Sequence, residues 1–150
     1  MTGPVEGMVD RVVDTLVESI ERIQPNQANN YENAHGGTIV RLMDELAAVA
    51  AMGVAGETCV TAHISSVDFH HPIPVGHAAE LSAFVYDTGD TSVEVYVEVE
   101  SQDPRTDGTR PTTSACFTLV AVDEDGAAVS VPRVEAVSEE GRRLLDRVSC

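Results

Sequence analysis

The sequence predicts an α+β fold, in which an antiparallel sheet wraps around one long buried helix. Two patterns lead to this class: residues 37–52 are apolar almost all the way round a helix, and segments on either side of them carry strand-like alternation of apolar and polar side chains. Short turns between the later strands favour antiparallel neighbours. With 150 residues and no internal repeat, the chain is expected to form a single domain with its core at about residues 13–123.

The first element is ambiguous, because the β-branched residues of 15–23 favour a strand while their spacing also permits a helix. We predict a strand, followed by a long loop. The helix that comes next, at about residues 37–52, is expected to be buried, and its apolar side chains are Ile39, Val40, Leu42, Met43, Leu46, Ala47, Val49 and Ala50.

Four strands are predicted after the helix. Within residues 58–70 the apolar side chains change phase, and a β-bulge at Ser65-Ser66 would reconcile the two phases. Residues 81–86 and 91–100 alternate cleanly and form a predicted hairpin around a turn at 88–90.

The last strand and the C-terminal segment differ in character. Residues 114–122 are apolar on nearly both faces, which is typical of a strand inside a sheet. Residues 138–148 begin with acidic side chains and carry arginines later, as suits a short surface helix and its dipole.

Charge is the strongest compositional signal. The chain has 25 acidic residues and nine basic ones, all of them arginine, for a net charge of -16. Such a surface repels nucleic acid and anionic membranes, so we expect neither as a partner. It also repels itself, and molar salt screens that repulsion. A halophilic source is the explanation we favour, and an ordinary acidic protein is the alternative.

Location and cysteine chemistry follow from two further features. No apolar run approaches the ~20 residues needed to cross a bilayer, and residues 1–10 carry acid where a secretion signal would carry base, so we expect a cytoplasmic protein. The three cysteines, Cys59, Cys116 and Cys150, stand far apart without Cys-x-x-Cys spacing. We therefore predict reduced, mostly structural thiols.

Asp44 lies in the middle of the apolar helix, where an ionised carboxylate is costly unless it is paired. One reading is structural, with Arg41 pairing with Asp44 and Glu45 sharing the same arginine. The other is a carboxylate held at a dry cleft as a base or nucleophile. The residues alone leave both open.

Residues 33–37, Asn-Ala-His-Gly-Gly, come just before the helix. Free N–H groups of a first helical turn, approached over glycines, suit a developing oxyanion, although a plain helix start is the commoner meaning of Gly-Gly. Gly37 and Asp44 are seven residues apart, roughly 10 Å along one helix, so they cannot both touch one carbonyl. If both are catalytic, a two-fold dimer must bring them together.

The run from Asn33 to Ala47 resembles the signature of the hot-dog-fold acyl-CoA hydrolases: an asparagine, then His-Gly-Gly, then Met-Asp at the same spacing. Residues 17–19, 25–29, 68–76 and 91–95 resemble other segments of that family, so the likeness extends over about residues 13–123.

This resemblance implies a hot-dog fold and hydrolysis of an acyl-CoA thioester to a free acid and coenzyme A, without metal or cofactor. It implies that Asp44 activates water or attacks the carbonyl, and that Asn33 of the facing subunit positions water or thioester. Gly37 would stabilise the oxyanion through its N–H, while His35 and Gly36 would shape the substrate-binding loop. The active form would be a homodimer or a higher homo-oligomer.

Coenzyme A is polyanionic, so local basic residues should receive its phosphates. Arg105 and Arg110 fall in a predicted loop at residues 102–111 and are the candidates. The histidines at 63, 70, 71 and 77 lack metal-site spacing and are expected to be structural or on the surface.

The rival hypothesis is a non-catalytic acyl-CoA-binding module on the same fold. Loss of Asp44 or Asn33 would have favoured it, and both residues are present. The sequence therefore favours the enzyme.

Overall fold

A computed structural model describes residues 10–150 of the chain. The interpretation of residues 1–10 as lacking a secretion signal concerns a segment that, apart from its last residue, lies outside the described residues.

Seven strands are present in this part of the chain: β1 (Asp10–Arg11), β2 (Val17–Arg22), β3 (Thr58–Phe69), β4 (Ala78–Thr88), β5 (Ser92–Gln102), β6 (Thr109–Val122) and β7 (Val134–Glu135). Five of them form one antiparallel sheet in the order β2-β4-β5-β6-β3. This confirms the α+β prediction and the β4–β5 hairpin. The short strands β1 and β7 pair in parallel and were not predicted.

The ambiguous first segment is a strand, as predicted, but a shorter one. Of the predicted residues, Thr15 belongs instead to a 3₁₀ turn over Val12–Thr15, where its hydroxyl donates to the Val12 carbonyl at 2.6 Å. The Val85 N–H donates to the same hydroxyl oxygen at 2.8 Å, so Thr15 joins this turn to β4. The β-branched residues after the turn pair with β4, and this pairing decides for the strand.

The predicted helix is α1 (Gly36–Ala55), which ends at Gly56 in the left-handed conformation, with φ 67°. Its buried face consists of Ile39, Leu42, Met43, Leu46, Ala47, Ala50, Ala51 and Val54. Val49 and Met52 remain 51% and 38% exposed. The sheet covers only one face of the helix, so these two apolar side chains are only partly covered by the described residues of the chain.

Strand β3 lies at an edge of the sheet and is exposed along most of its length. Its pairing with β6 shifts register between Ser65 and Asp68, and Ser66 has a positive φ of 59°. The bulge predicted at Ser65-Ser66 is therefore confirmed. A long open edge of this kind presents backbone N–H and C=O groups to a further strand.

The outer face of the sheet, opposite α1, is partly covered by the C-terminal segment. Helix α2 (Glu139–Arg147) matches the predicted surface helix, and the Ser138 hydroxyl caps it by accepting from the Gly141 N–H at 3.0 Å. At the end of α2 the Arg147 guanidinium lies 5.9 Å from the centre of the Phe84 ring. That ring in turn packs edge to face on Tyr96.

The prediction of three reduced thiols was wrong for two of them. Cys116 and Cys150 form a disulfide, while Cys59 is a free thiol in the core. Cys116 of β6 lies opposite Tyr96 of β5 in the sheet. The segment after α2 folds back over these residues and brings Cys150 to Cys116. The two cysteines are 34 positions apart in the sequence, so only the packing of α2 brings them together. Burial, and secondarily Glu57, raises the pKa of the Cys59 thiol.

Candidate active site

Asp44 is half-buried on α1 and is held by a hydroxyl from the sheet. The Thr61 hydroxyl of β3 donates to Asp44 Oδ1 at 2.5 Å. Arg41 pairs instead with Glu45, at 3.1 Å between Nη1 and Oε1. The reading in which Arg41 neutralises Asp44 is therefore wrong: Arg41 and Glu45 are exposed and one turn apart, whereas Asp44 turns toward the sheet.

The Gly36-Gly37 pair forms the first turn of α1. His35 is the N-cap residue, and its side chain makes no capping hydrogen bond to the described residues. The turn is closed by the Ile39 N–H, which donates to the His35 carbonyl at 3.2 Å. Gly37 is exposed, and a Cβ there would lie within 4 Å of nothing in residues 10–150. Its N–H belongs to the group that a helix leaves without intrahelical partners.

Two asparagines lie in one tight loop before this turn. Asn29 Oδ1 accepts from the backbone N–H groups of Tyr31 and Asn33, at 2.9 and 3.2 Å. The Asn29 N–H donates to the Asn33 carbonyl at 2.8 Å. Both asparagines are half-buried. The loop thus holds Asn29 and the predicted Asn33 side by side, close in sequence to Gly37.

Asp44 and Gly37 lie too far apart on α1 to act on one carbonyl within the same protomer. Both residues belong to α1, so the helical rise separates them by roughly 10 Å. Phe69, at the far end of β3 from Thr61, packs on Gly36, with its Cζ 3.3 Å from where a Gly36 Cβ would stand. Strand β3 therefore runs beside α1, with Thr61 at the Asp44 end and Phe69 at the glycine end.

The predicted phosphate contacts are only partly where the sequence placed them. Strands β5 and β6 extend further than predicted, so the loop shortens to residues 103–108, and Arg110 lies within β6 rather than in a loop. The reason is continued pairing, with Ser101 opposite Arg110. Arg105 remains in the loop.

Arg105 binds Asp103 through two hydrogen bonds, from Nε to Oδ1 at 3.0 Å and from Nη2 to Oδ2 at 2.9 Å. The hydrogen bonds from Arg105 lower the pKa of Asp103 to about 2, and the same pairing raises the pKa of Arg105. Both residues line an open cleft of about 500 Å³ that they share with Arg22 and His77. Arg22 is a further cation of this cleft, and no pattern in the sequence singled it out.

Two further observations concern metals and membranes. Within residues 10–150, no group of three or more His, Cys, Asp or Glu side chains could hold a metal ion. Over the same residues, no helix combines the length and the apolar character that a bilayer crossing requires.

One known protein superfamily matches this chain over half of its length. Residues 31–107 match the thioesterase superfamily. The chain belongs to this superfamily. It is 32% identical over 127 residues to the acyl-CoA thioester hydrolase YkhA of Bacillus subtilis, covering 85% of this chain and 74% of that protein. It is 35% identical to the VdlD protein of Helicobacter pylori, covering 78% of this chain and 67% of that one.

Solved structures of acyl-CoA thioesterases and hydrolases share the fold. An apo-hexameric acyl-CoA thioesterase superposes with a TM-score of 0.84 at 39% identity, covering 92% of this chain and 90% of its own. An acyl-CoA hydrolase of Bacillus cereus gives a TM-score of 0.86 at 30% identity, with 93% and 85% covered. The five-stranded sheet and long helix are therefore a hot-dog fold, as the resemblance implied.

An acyl-CoA hydrolase of Staphylococcus aureus, known in complex with butyryl-CoA and coenzyme A, gives a TM-score of 0.85 at 28% identity, with 93% of this chain and 85% of its own covered. Variants of that enzyme have been solved in which an aspartate, a threonine or an asparagine is replaced by alanine. Its altered asparagine lies 15 positions before the altered aspartate, and its altered threonine lies 17 positions after it.

Three residues near the site were missed by sequence reasoning. Thr61 is 17 positions after Asp44 and had no local signal, because its role depends on how β3 packs beside α1. Asn29 was in a segment that resembled the family, but it was not singled out. Phe69 was treated only as an apolar position of a strand.

Proposed function

We propose that this protein hydrolyses acyl-CoA thioesters to a free acid and coenzyme A. The observation that carries the proposal is the hydrogen bond from Thr61 to Asp44. Asp44 and Thr61 have the same residue types and the same spacing of 17 positions as the aspartate and threonine altered in the Staphylococcus aureus hydrolase. A carboxylate held by a hydroxyl at a partly exposed helix face is oriented to act on a bound thioester.

The chemistry needs one base or nucleophile and one oxyanion donor. Asp44 either takes a proton from water as that water attacks the thioester carbonyl, or attacks the carbonyl itself to form an anhydride that water then cleaves. In both routes the carbonyl oxygen becomes an oxyanion, which the Gly37 N–H stabilises. The intermediate then expels the coenzyme A thiolate, which takes up a proton.

A homodimer would bring the two groups together. The open edge of β3, together with exposed Val60 beside it, offers a surface for a second copy. Antiparallel pairing of two β3 strands centred near Ser65 would set the Thr61 end of one protomer against the Phe69 end of the other. Asp44 of one protomer would then face the partner's first helical turn, and the two-fold axis would generate two such sites.

Two neighbouring asparagines, Asn29 and Asn33, are candidates for the asparagine of the site. We propose that Asn33, the residue implied by the family resemblance, positions water or thioester from the facing protomer, with His35 and Gly36 shaping the same loop. Asn29 is its competitor, because it stands 15 positions before Asp44, the spacing found in the Staphylococcus aureus variants. Its Oδ1 is already bound by two backbone N–H groups, which leaves its NH₂ group to donate to an oxygen.

The central experiment follows thiol release from acyl-CoAs of several chain lengths with a chromogenic disulfide. Asp44→Asn is expected to lower kcat by about 10²- to 10⁴-fold, the usual contribution of a general base or more. Glu45→Gln, one residue along and exposed, is the matched control and should stay near wild type. If the wild-type protein binds coenzyme A yet releases no thiol from any acyl-CoA, the protein is the non-catalytic binding module.

The same assay separates the asparagines. The one whose NH₂ group contacts water or thioester should lose kcat on substitution by aspartate, and the other should not. Aspartate keeps an oxygen that accepts from the loop N–H groups and removes only the NH₂ donor. Co-refolding the inactive asparagine variant with Asp44→Asn then tests the shared site. Each heterodimer would contain one intact site, so about a quarter of wild-type activity should return for random pairing. Activity that stays at the level of the separate variants would contradict the shared site.

Coenzyme A phosphates are proposed to bind Arg105 and Arg110, with Arg22 added because it shares the Arg105 cleft. A phosphate must compete with Asp103 for Arg105. Arg105→Gln should therefore raise KM for acyl-CoA while leaving KM unchanged for an acyl-pantetheine that lacks the nucleotide. An equal change for both substrates would remove Arg105 from the phosphate site.

A halophilic and cytoplasmic setting is also proposed. The net charge of -16, with arginine as the sole basic residue besides histidine, supports the first part. Molar salt shortens the Debye length to about 3 Å and screens the self-repulsion. Activity and the free energy of unfolding should both rise from low to molar salt, and indifference to salt would contradict a halophilic origin. The Cys116–Cys150 disulfide is unusual for a cytosol, and trapping thiols in intact cells would test the location.

A further inference from the structure

The first turn of α1 has little to hold its shape from within. It begins with two successive glycines, and the His35 side chain does not cap it in the described part of the chain. Glycine loses more conformational freedom on ordering than any other residue. A donor aimed at a developing oxyanion works only when it is fixed in advance. The turn therefore needs support from outside the helix.

The Phe69 ring lies where such support is needed. Its Cζ, Cε2 and Cε1 atoms stand 3.3, 3.6 and 3.7 Å from the position a Gly36 Cβ would occupy. A Cβ at position 36 would make the ring give way by a few tenths of an ångström. The contact at its present distance therefore depends on glycine, and it lies one residue before the Gly37 N–H.

The backbone that carries Phe69 is firmly anchored. Phe69 pairs with Thr113 of β6, and the next residue, His70, donates its N–H to the Thr112 carbonyl at 2.8 Å. The Thr113 hydroxyl donates to the Asp68 carbonyl. Thr112 and Thr113 are both buried. The ring therefore projects from a fixed point of the sheet.

Burial of Phe69 in the core cannot be the reason for its position. The side chain is 51% exposed, at the end of an edge strand. An aromatic side chain so placed contributes far less to folding than a fully buried one such as Phe117, which is 0% exposed. The ring instead packs on Gly36 at the start of α1.

We propose that Phe69 is a positioning residue, whose ring packs on Gly36 and fixes the first turn of α1 so that the Gly37 N–H meets the oxyanion. This inference rests on the proposed thioesterase function and on Gly37 as the donor. In the dimer, Phe69 acts on the turn of its own protomer, opposite the Asp44 of the other.

Kinetics of Phe69→Ala test the role. The turn loosens, so kcat should fall by about 10- to 100-fold, as expected when a catalytic group is misplaced by about 1 Å, while KM changes less than about twofold. Phe69→Tyr keeps the ring and should retain kcat within about threefold. Thermal unfolding should be nearly unchanged in both variants, because the side chain is half exposed.

A ring that merely lines the acyl pocket would behave differently. Phe69→Ala would then change KM, by a factor that varies with acyl chain length, and leave kcat for short chains intact. That result would overturn the proposal. So would an unchanged kcat and KM.

The contact itself is tested by a double-mutant cycle. Gly36→Ala pushes on the ring and should lower kcat in the wild-type background, although alanine is the better helix former. In the Phe69→Ala background the methyl group has room, so the same substitution should cost markedly less. If Gly36→Ala lowers kcat by the same factor in both backgrounds, Gly36 and Phe69 do not act through each other.

Failure of the inference and failure of the proposed function are distinguishable. If Asp44→Asn is inactive while Phe69→Ala keeps its kcat, only the positioning role is wrong. If Asp44→Asn keeps wild-type activity, the proposed site is wrong and the cycle has no bearing on catalysis.

Discussion

Single side chains in this protein depend on partners that lie far away in the sequence. Thr61 orients Asp44 through a hydrogen bond. Arg41 and Glu45, which are close to Asp44 in the sequence, bind each other instead. The costly position of an aspartate in an apolar helix predicted that Asp44 has a special role. The identity of its partner depended on β3 lying beside α1.

Removing the Thr61 hydroxyl tests this dependence. Thr61→Val keeps the shape of the side chain but loses the hydrogen bond to the carboxylate, so kcat should fall by about 10- to 150-fold, in line with the ~1.5–3 kcal/mol of a hydrogen bond to a charged group. Thr61→Ser should restore most of the rate. Thr58→Val, on the same strand, is the control, and a comparable loss there would mean that the effect is not specific to Asp44.

Asp103 offers a pH prediction of definite sign. Arg105 depresses its pKa to about 2, so the folded state favours the ionised carboxylate. The resulting stabilisation is present above the ordinary pKa of 3.8 and is lost as the pH falls toward 2. Carboxyl NMR should give a midpoint near 2 for Asp103. In Arg105→Gln the midpoint should return toward 3.8, and an unshifted midpoint in that variant would exclude Arg105 as the cause.

At the scale of elements, α1 combines a buried face that packs in the core with two parts of the candidate site, Gly37 in its first turn and Asp44 near its middle. Its periodicity sufficed to predict it, and the structure extends it by one residue at the start and three at the end. Strand β3 was equally predictable as a strand, including its bulge. Its place at the sheet edge was not predicted, because alternation of side chains indicates faces and not neighbours.

Two glycines, Gly53 within α1 and Gly56 directly after it, give opposite stability predictions for the same substitution. Gly53 is exposed within the helix, and a Cβ there meets nothing within 4 Å of the described atoms, so Gly53→Ala should raise the free energy of unfolding by about 0.5–1 kcal/mol. Gly56 has φ 67°, so Gly56→Ala should lower the free energy of unfolding by about 1 kcal/mol. Urea unfolding measures both, and a shift of the same sign in the two variants would contradict this account of the helix end.

At the scale of the whole molecule, the C-terminal segment is joined to the sheet by a covalent bond. The disulfide between Cys116 and Cys150 closes a loop across a sequence separation of 34. It keeps the end of α2 over the Phe84 and Tyr96 rings. The sequence offered no spacing rule that would pair these cysteines.

Breaking the disulfide should destabilise the fold without affecting the chemistry. Cys150→Ser should lower the free energy of unfolding by up to about 3–4 kcal/mol, the loop-closure value for this separation. Urea unfolding of the wild type with and without reductant is the companion measurement, and reductant should have no effect on the variant. Equal stability of wild type and variant in oxidising buffer would show that the bond does not form in solution.

The sequence by itself determined the two helices, the five strands of the main sheet and their antiparallel character, the run from Asn33 to Asp44 and the acidic surface. These depend on local periodicity, turn chemistry and composition, all of which can be read within a few residues of one another. The tertiary structure alone decided that Thr61 and not Arg41 binds Asp44, that Phe69 packs on Gly36, that β3 is an open edge and that Cys116 meets Cys150. Each of these depends on the order of strands in the sheet and on which elements pack against them, and no pattern within a single segment specifies that order.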